Sequence, residues 1–294
     1  MVGDRKSILV IGWFFLVGVV GLNHPLPALA IDSYYTIDES ETPPPYQNHF
    51  PIWYYNPPDA NQPSGTFFER RIANIHLVRW IGHEEPLEPP QEPYSRKRHY
   101  GGWIKGNSAS NCYNTRARVL MRESRGPVSF SSSNPCIVET GKWYDPYVGR
   151  WVYWARDLEI DHVVPVKSSY ELGGYRWSRG KRCVFFNFLE AKEHLIPISP
   201  LENTKKSAKG PEGYLPPNKA YVCTYLKNWL FVKLVWSLPI LPEEGHAIHL
   251  AIQRYQCATQ HFLVNAEEIL RLRKKIVDQF HSCYQDYHQQ PTVD

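Results

Sequence analysis

The 294-residue sequence has no C-x-x-C pair, no Gly-x-Ser-x-Gly elbow and no self-similarity at a period of about 20 to 50 residues. The first absence argues against a zinc knuckle, the second against a secreted acyl hydrolase and the third against a solenoid or propeller. His83-Glu84-Glu85 looks like the start of a zincin helix, but no second histidine follows four residues on and Pro86 would break the helix. Net charge is small as well. A formal +4 at pH 7 says little about partners by itself, and what matters is where the charge sits.

No apolar run reaches the length of a membrane span. Ile8 to Leu22 is uncharged but only 15 residues long, against about 20 for a spanning helix. With Arg5 and Lys6 before it and Ala28-Leu29-Ala30 after it, the run reads as the core of a signal peptide over residues 1–30. Its removal lowers the formal charge to +3. The expected product is extracellular, has no stable membrane association and is a monomer. All six cysteines follow the signal, so up to three disulfides are expected in that oxidising setting. With 43% hydrophobic and 14% aromatic residues, the chain can bury a core in one large or two small domains.

Residues 31–98 are rich in proline (Pro43 to Pro45, Pro57-Pro58, Pro89-Pro90) interleaved with Tyr and Trp. Proline fixes φ and removes donors, so this reads as a partly extended strap, with one helix over 67–81 on the spacing of Phe68, Ile72, Ile75 and Trp80. A denser region, 99–260, follows, and then a C-terminal helix and tail, 261–294. A helix is predicted around Thr115 to Glu123. The stretch from Val128 to Trp154 reads as strands joined by Asn-Pro and Gly turns. Cys112 and Cys136 bracket these two pieces and are the first disulfide candidate. Trp143, Tyr144, Tyr147, Trp151 and Trp154 read as sheet core and rim packing rather than base-stacking surfaces. Ala220 to Leu238 is compatible with a buried helix, and helices are predicted over Glu243 to Cys257 and Asn265 to Ser282. Cys223 with Cys257 is the second disulfide candidate.

Chemistry concentrates in Leu158 to Gly210. A short strand from Leu158 carries Asp161 and His162, which strict alternation would send to opposite faces. A second extended run, His194 to Ile198, is confined by Pro197 to a sheet edge. Ser199-Pro200-Leu201-Glu202 predicts a capping box and a helix that Gly210-Pro211 stops. Asn203, Lys206 and Ser207 then share one face. Asp161 with the amide oxygen of Asn203 supplies two hard oxygen ligands, a set that favours Mg²⁺ or Mn²⁺ over Zn²⁺. His162 is placed to accept a proton from an attacking water near neutral pH. Lys205, Lys206 and Lys209, with Arg176, Arg179, Lys181 and Arg182 upstream, supply cations for a phosphate backbone. The segment Lys167 to Glu193 reads as a substrate-facing insertion.

The ordered set Asp161-His-Val-Val-Pro165 and Asn203-x-x-Lys206 resembles the HNH, or ββα-metal, nucleases. It is most similar to secreted domains related to the C-terminal nuclease domain of GmrSD-type restriction enzymes. The likeness runs from Trp103 to about Cys257 through Cys112-Tyr-Asn-Thr-Arg116, Gly141-Lys-Trp-Tyr-Asp-Pro-Tyr147, Tyr214-Leu-Pro-Pro-Asn218 and Tyr221-Val-Cys-Thr-Tyr225. The resemblance implies an α+β fold around a ββα-metal core, stapled by disulfides. It also implies an exported endonuclease acting on DNA with little sequence specificity, and it leaves RNA open as a further substrate. His162 would be the general base, Asp161 and Asn203 the metal ligands, and Lys206 and Arg116 phosphate contacts. The chain departs from the pattern at three places. His194 stands where these domains carry an asparagine, so it could orient, ligate or be neutral in effect. The loop before Cys112 reads KGNSASN where relatives are acid-rich. Cys183 lies where a small apolar residue is expected, and it either pairs with Cys283 or stays free. The alternative on the same fold is a non-catalytic secreted module that binds nucleic acid or protein.

Overall fold

A computed structural model describes residues 49–51, 89–105 and 112–288, all within the compact unit Ile37–Asp294. The signal segment 1–30, the helix expected over 67–81, the His83-Glu84-Glu85 triplet and nearly all of the KGNSASN loop lie outside the described residues. In chain order the elements are β1 (His49–Pro51), α1 (Arg96–His99), α2 (Thr115–Glu123), β2 (Ser129–Phe130), β3 (Val138–Asp145), β4 (Arg150–Trp154), β5 (Glu159–His162), α3 (Val166–Glu171) and α4 (Arg179–Asn187). They continue with β6 (Leu195–Ile198), α5 (Pro200–Lys206), α6 (Val222–Trp236), α7 (Pro242–Arg254), β7 (Leu263–Asn265) and α8 (Ala266–His288). The fold is mixed α+β. Its described strands form three small antiparallel sheets, β1-β7, β2-β3-β4 and β5-β6.

Two apolar clusters organise these pieces. The smaller packs α2 (Ala117, Val119, Leu120) under the β3–β4 sheet (Val138, Trp143, Val152), together with Leu158, Ile160 and Leu195. The larger gathers Val184 to Phe186 of α4, most of α6, and Ile269, Leu272 and Ile276 of α8. The β5–β6 ribbon is the wall between them. Ile160 and Leu195 face the small cluster, while Val163, Val164, Ile196 and Ile198 belong to the large one. Its register pairs Asp161 with Ile196 and His162 with Leu195, and Pro197 lies in a two-stranded sheet where its missing donor costs no ladder bond.

Local signals explain most boundaries. Asn114 caps α2 by accepting from the Ala117 amide at 2.9 Å, and Asn265 caps α8 by accepting from the Glu268 amide at 3.1 Å. Gly149 turns β3 into β4 at φ +73°, a left-handed conformation that other residues avoid. Gly180 lets α4 approach α8, because a Cβ there would collide with the Phe280 carbonyl.

Three expectations change. The capping box at Ser199 does not form: the Ser199 amide, which Glu202 would take, donates instead to Asp145 Oδ2 at 2.8 Å, and Glu202 accepts from Lys205 and Tyr214. The helix ends at Lys206 rather than at Gly210, where Ser207 swings to φ +50°. The Lys167 to Glu193 segment is not a substrate-facing insertion. It folds into α3 and α4, and Val184, Phe185, Phe186 and Phe188 are buried in the larger cluster. Its Arg182 donates to the carbonyls of His99, Gly174, Tyr175 and Trp177, so that guanidinium holds local backbone.

The disulfides are Cys112–Cys136, Cys223–Cys257 and Cys183–Cys283. The last settles the alternative left open for Cys183 and staples α8 to α4.

Candidate functional site

Asp161 lies near the end of β5 and is 4% exposed. Its Oδ1 accepts from Lys206 Nζ at 2.8 Å and its Oδ2 from the Tyr147 hydroxyl at 2.7 Å. Lys206 Nζ also donates to the His162 carbonyl at 2.9 Å, and the lysine is fully buried. Burial pushes the Asp161 carboxyl up, with the Lys206 ammonium opposing that shift, and it pushes Lys206 down. Lys206 is therefore the internal counter-ion of Asp161, not a contact for an incoming phosphate.

Sequence blocks far apart build this cluster. Asp145 accepts from the Tyr147 amide with Oδ1 and from the Ser199 amide with Oδ2, which ties the β3–β4 turn to the start of α5. Asn218 donates to the Pro146 carbonyl, and its amide donates to Tyr147 O, so the Tyr214–Asn218 block docks on the same turn. Tyr147 was missed as a site residue in the sequence, although it closes the Gly141-to-Tyr147 block.

His162 looks the other way, as alternation requires. Its Nε2 donates to the Phe186 carbonyl at 3.0 Å, so in the neutral ring Nδ1 carries the lone pair. The Trp103 ring stacks on it at 5.5 Å with an interplanar angle of 2°, and Phe186 lies 4.8 Å away. His194 is fully buried. It donates from Nε2 to the Phe185 carbonyl at 2.6 Å and meets His162 edge-on at 5.7 Å. The two histidines thus satisfy consecutive carbonyls in the last turn of α4, which lack intrahelical donors. As placed, His194 braces the turn that holds His162, and its buried Nδ1 has no hydrogen-bond partner.

Burial pushes the His162 imidazole well below its usual range, with His194 adding to the shift, and takes His194 down to about 4. Between pH 6.5 and about 4 the unfolded chain binds a proton at residue 194 and the native protein does not. Stability is therefore fully present above that window and lost as pH falls through it, by about 3 kcal/mol for this residue. Urea midpoints across that pH range should show the loss, and His194→Gln should reduce its slope while leaving the part that His162 contributes; an unchanged slope in the variant would contradict this placement.

The other expected residues go elsewhere. Asn203 Nδ2 donates to Glu159 Oε2 at 2.7 Å on the surface. Arg116 donates to the carbonyls of Ala155 and Leu158, each at 2.8 Å, and so clamps the turn that launches β5. Lys205 pairs with Glu202, and Lys209 donates to the Lys205 carbonyl. Arg96 was not singled out in the sequence. Its guanidinium lies 6.0 Å over the Phe186 ring, and its charge is felt at His162 after that of Lys206.

A divalent ion held by Asp161 and Asn203 does not fit this arrangement. Both Asp161 oxygens are engaged, a buried ammonium sits 2.8 Å from one of them, and Asn203 is turned to Glu159. Among the described residues, no group of three or more His, Cys, Asp or Glu side chains gathers as a ligand set.

An uncharacterized secreted protein of Arthroderma benhamiae is 34% identical over 192 residues, covering 65% of this chain and 86% of the relative. The chain belongs to that protein's family. No family model matches it. No solved structure matches it. Like its relative, this member is a secreted protein, and its three disulfides suit an oxidising compartment.

Proposed function

We propose that this secreted protein hydrolyses phosphodiester bonds in nucleic acid, with His162 as the general base. The observation that carries the reading is the His162 imidazole: its Nε2 proton is held on the Phe186 carbonyl, which leaves the Nδ1 lone pair to accept a proton, while burial makes the ring a weaker base than a free imidazole. The likeness to HNH nucleases, block by block in the same order, points the same way. Lys206 and Tyr147 hold Asp161 and through it the end of β5, while Arg116 holds its start. Arg96 is the cation assigned to a scissile phosphate. No step is assigned to a metal, because the residues do not present one.

A plasmid-nicking assay of the purified mature chain, run with Mg²⁺, with Mn²⁺ and with chelator, tests this. Nicking is expected, and His162→Ala should slow it by about 10² to 10⁴-fold. Nicking that survives chelator matches the paired state of Asp161. Nicking that needs the ion would mean that Asp161 exchanges Lys206 for a metal during turnover. No nicking under any condition, or full activity in His162→Ala, would sink the proposal. A second reading, a secreted binding module without turnover, is favoured by the engagement of both Asp161 oxygens. It predicts oligonucleotide binding with no cleavage in any arm.

A further inference from the structure

His162 is only 7% exposed, so a base that must meet both a water and a polymeric substrate has almost none of its surface open to either. Among the described residues, four rings wall the imidazole. Trp103 lies at 5.5 Å, Phe186 at 4.8 Å, Phe185 at 6.1 Å and His194 at 5.7 Å. Phe185, Phe186 and His194 are each 2% exposed or less, and the two phenylalanines belong to the larger apolar cluster. Moving them would open the core. Trp103 differs: it is partly buried, lies outside any helix or strand and packs at the margin of both clusters. It is the wall on the solvent side.

The stretch that carries Trp103 hangs between two firm anchors. Upstream, His99 and Tyr100 are buried, the His99 carbonyl accepts from Arg182 Nε at 3.0 Å, and the Tyr100 hydroxyl bonds Ser169 Oγ at 2.9 Å. The Gly101 amide donates to the Arg96 carbonyl at 3.1 Å. Downstream, the Ile104 carbonyl accepts from the Thr115 amide at 3.0 Å, and Lys105 bridges to Asn114. Between the anchors, Gly101 has φ +81° and a Cβ at Gly102 would meet nothing within 4 Å, so two adjacent residues free of side-chain constraint precede the ring. Asn187, buried at the end of α4, ties this stretch down. Its Nδ2 donates to the Gly102 and Cys183 carbonyls, each at 3.1 Å. Its Oδ1 accepts from the Ile104 amide at 3.0 Å and the Thr115 hydroxyl at 2.6 Å. Those bonds use both donors and both lone pairs of the amide.

We propose that residues 101–103 form a flap over His162, latched by the Asn187 side chain, and that substrate reaches the imidazole only when the flap lifts. The proposal rests on the reading of His162 as the general base. Closed, the Trp103 ring lies parallel to the imidazole, at an interplanar angle of 2°, and 4.5 Å from the Phe186 ring. Lifting it breaks the Gly102 latch and the ring contacts of Trp103. It leaves in place α4, the carbonyls that hold the two histidines, and the Asp161–Lys206 pair. An opening that breaks so few contacts is a local event of far lower free energy than global unfolding.

Opening can be read without any cleavage. Diethyl pyrocarbonate acylates unprotonated imidazoles, and peptide mass mapping of the mature chain near neutral pH gives a rate for each histidine. His162 should react far more slowly than the exposed His261, and the fully buried His194 should stay unmodified while the protein is folded. Asn187→Asp keeps the Oδ1 acceptor but puts an oxygen in place of the donor to Gly102, and should speed the His162 reaction by about 2- to 10-fold. Trp103→Ala removes the wall itself and should bring His162 towards the rate of His261. His194 is the internal control, because a variant that has merely unfolded exposes it as well. A parent in which His162 reacts as fast as His261 would show that no flap covers it, and a rate unmoved by both variants would show that another element does. Slow, variant-sensitive modification in a parent that nicks no plasmid would retain the flap and remove the catalytic reading. Nicking by a parent whose His162 is already open would do the reverse.

Discussion

Lys206→Met is expected to destabilise the native protein by about 3 to 5 kcal/mol, because it leaves the Asp161 carboxylate buried with only the Tyr147 hydroxyl as partner. A methionine fills nearly the same volume, so the loss reports the charge and not a cavity. Asp161 is driven up by burial even beside the ammonium. Without the ammonium, the native state takes up a proton there more readily than the unfolded chain. The deficit should therefore shrink as pH falls. Asp161→Asn with Lys206→Met removes both charges and should cost much less than the lysine change alone, since a buried pair contributes little net stability over a neutral replacement. Urea unfolding of the four species gives the coupling directly. A Lys206→Met midpoint equal to the parent's would show that the lysine is not the counter-ion, and would reopen Asp161 to a metal.

Removing the Cys183–Cys283 disulfide by Cys183→Ala with Cys283→Ala should cost about 4 to 5 kcal/mol, in the account where a cross-link acts by restricting the unfolded chain. Its sequence separation is 100, against 24 for Cys112–Cys136 and 34 for Cys223–Cys257, so those two should each cost about 1 kcal/mol less on loop length. Both cysteines are buried, and alanine avoids placing an unsatisfied hydroxyl in the core. The bond also bears on the site, because α8 holds α4, and α4 carries the Phe185 and Phe186 carbonyls that fix the two histidines. Urea midpoints of the three double-alanine variants would show the ranking. A Cys183–Cys283 variant no less stable than the Cys223–Cys257 one would overturn it.

Much of the secondary structure was legible in the sequence because it is local. Asn114 and Asn265 cap their helices through amides three residues on, α2 runs over Thr115–Glu123 as predicted, and the apolar stretch after Ala220 is the buried α6. The pairs Cys112–Cys136 and Cys223–Cys257 were also legible, since each brackets elements that pack on one another. Ser199 shows where local rules stop. Its helix forms, but a carboxylate 54 residues away takes the amide that the capping box would have used.

The sequence alone determined that this is an α+β, disulfide-linked chain in which an Asp-His strand is followed by a second strand and a helix. Only the tertiary structure decided what those residues touch. Lys206 reaches Asp161 across 45 residues, and Phe186 reaches His162 across 24. Whether an ammonium serves a phosphate or a buried carboxylate depends on which surfaces exclude water around it. That is settled by how α5, α6 and the β3–β4 turn close over β5, and no pattern within a single element records it.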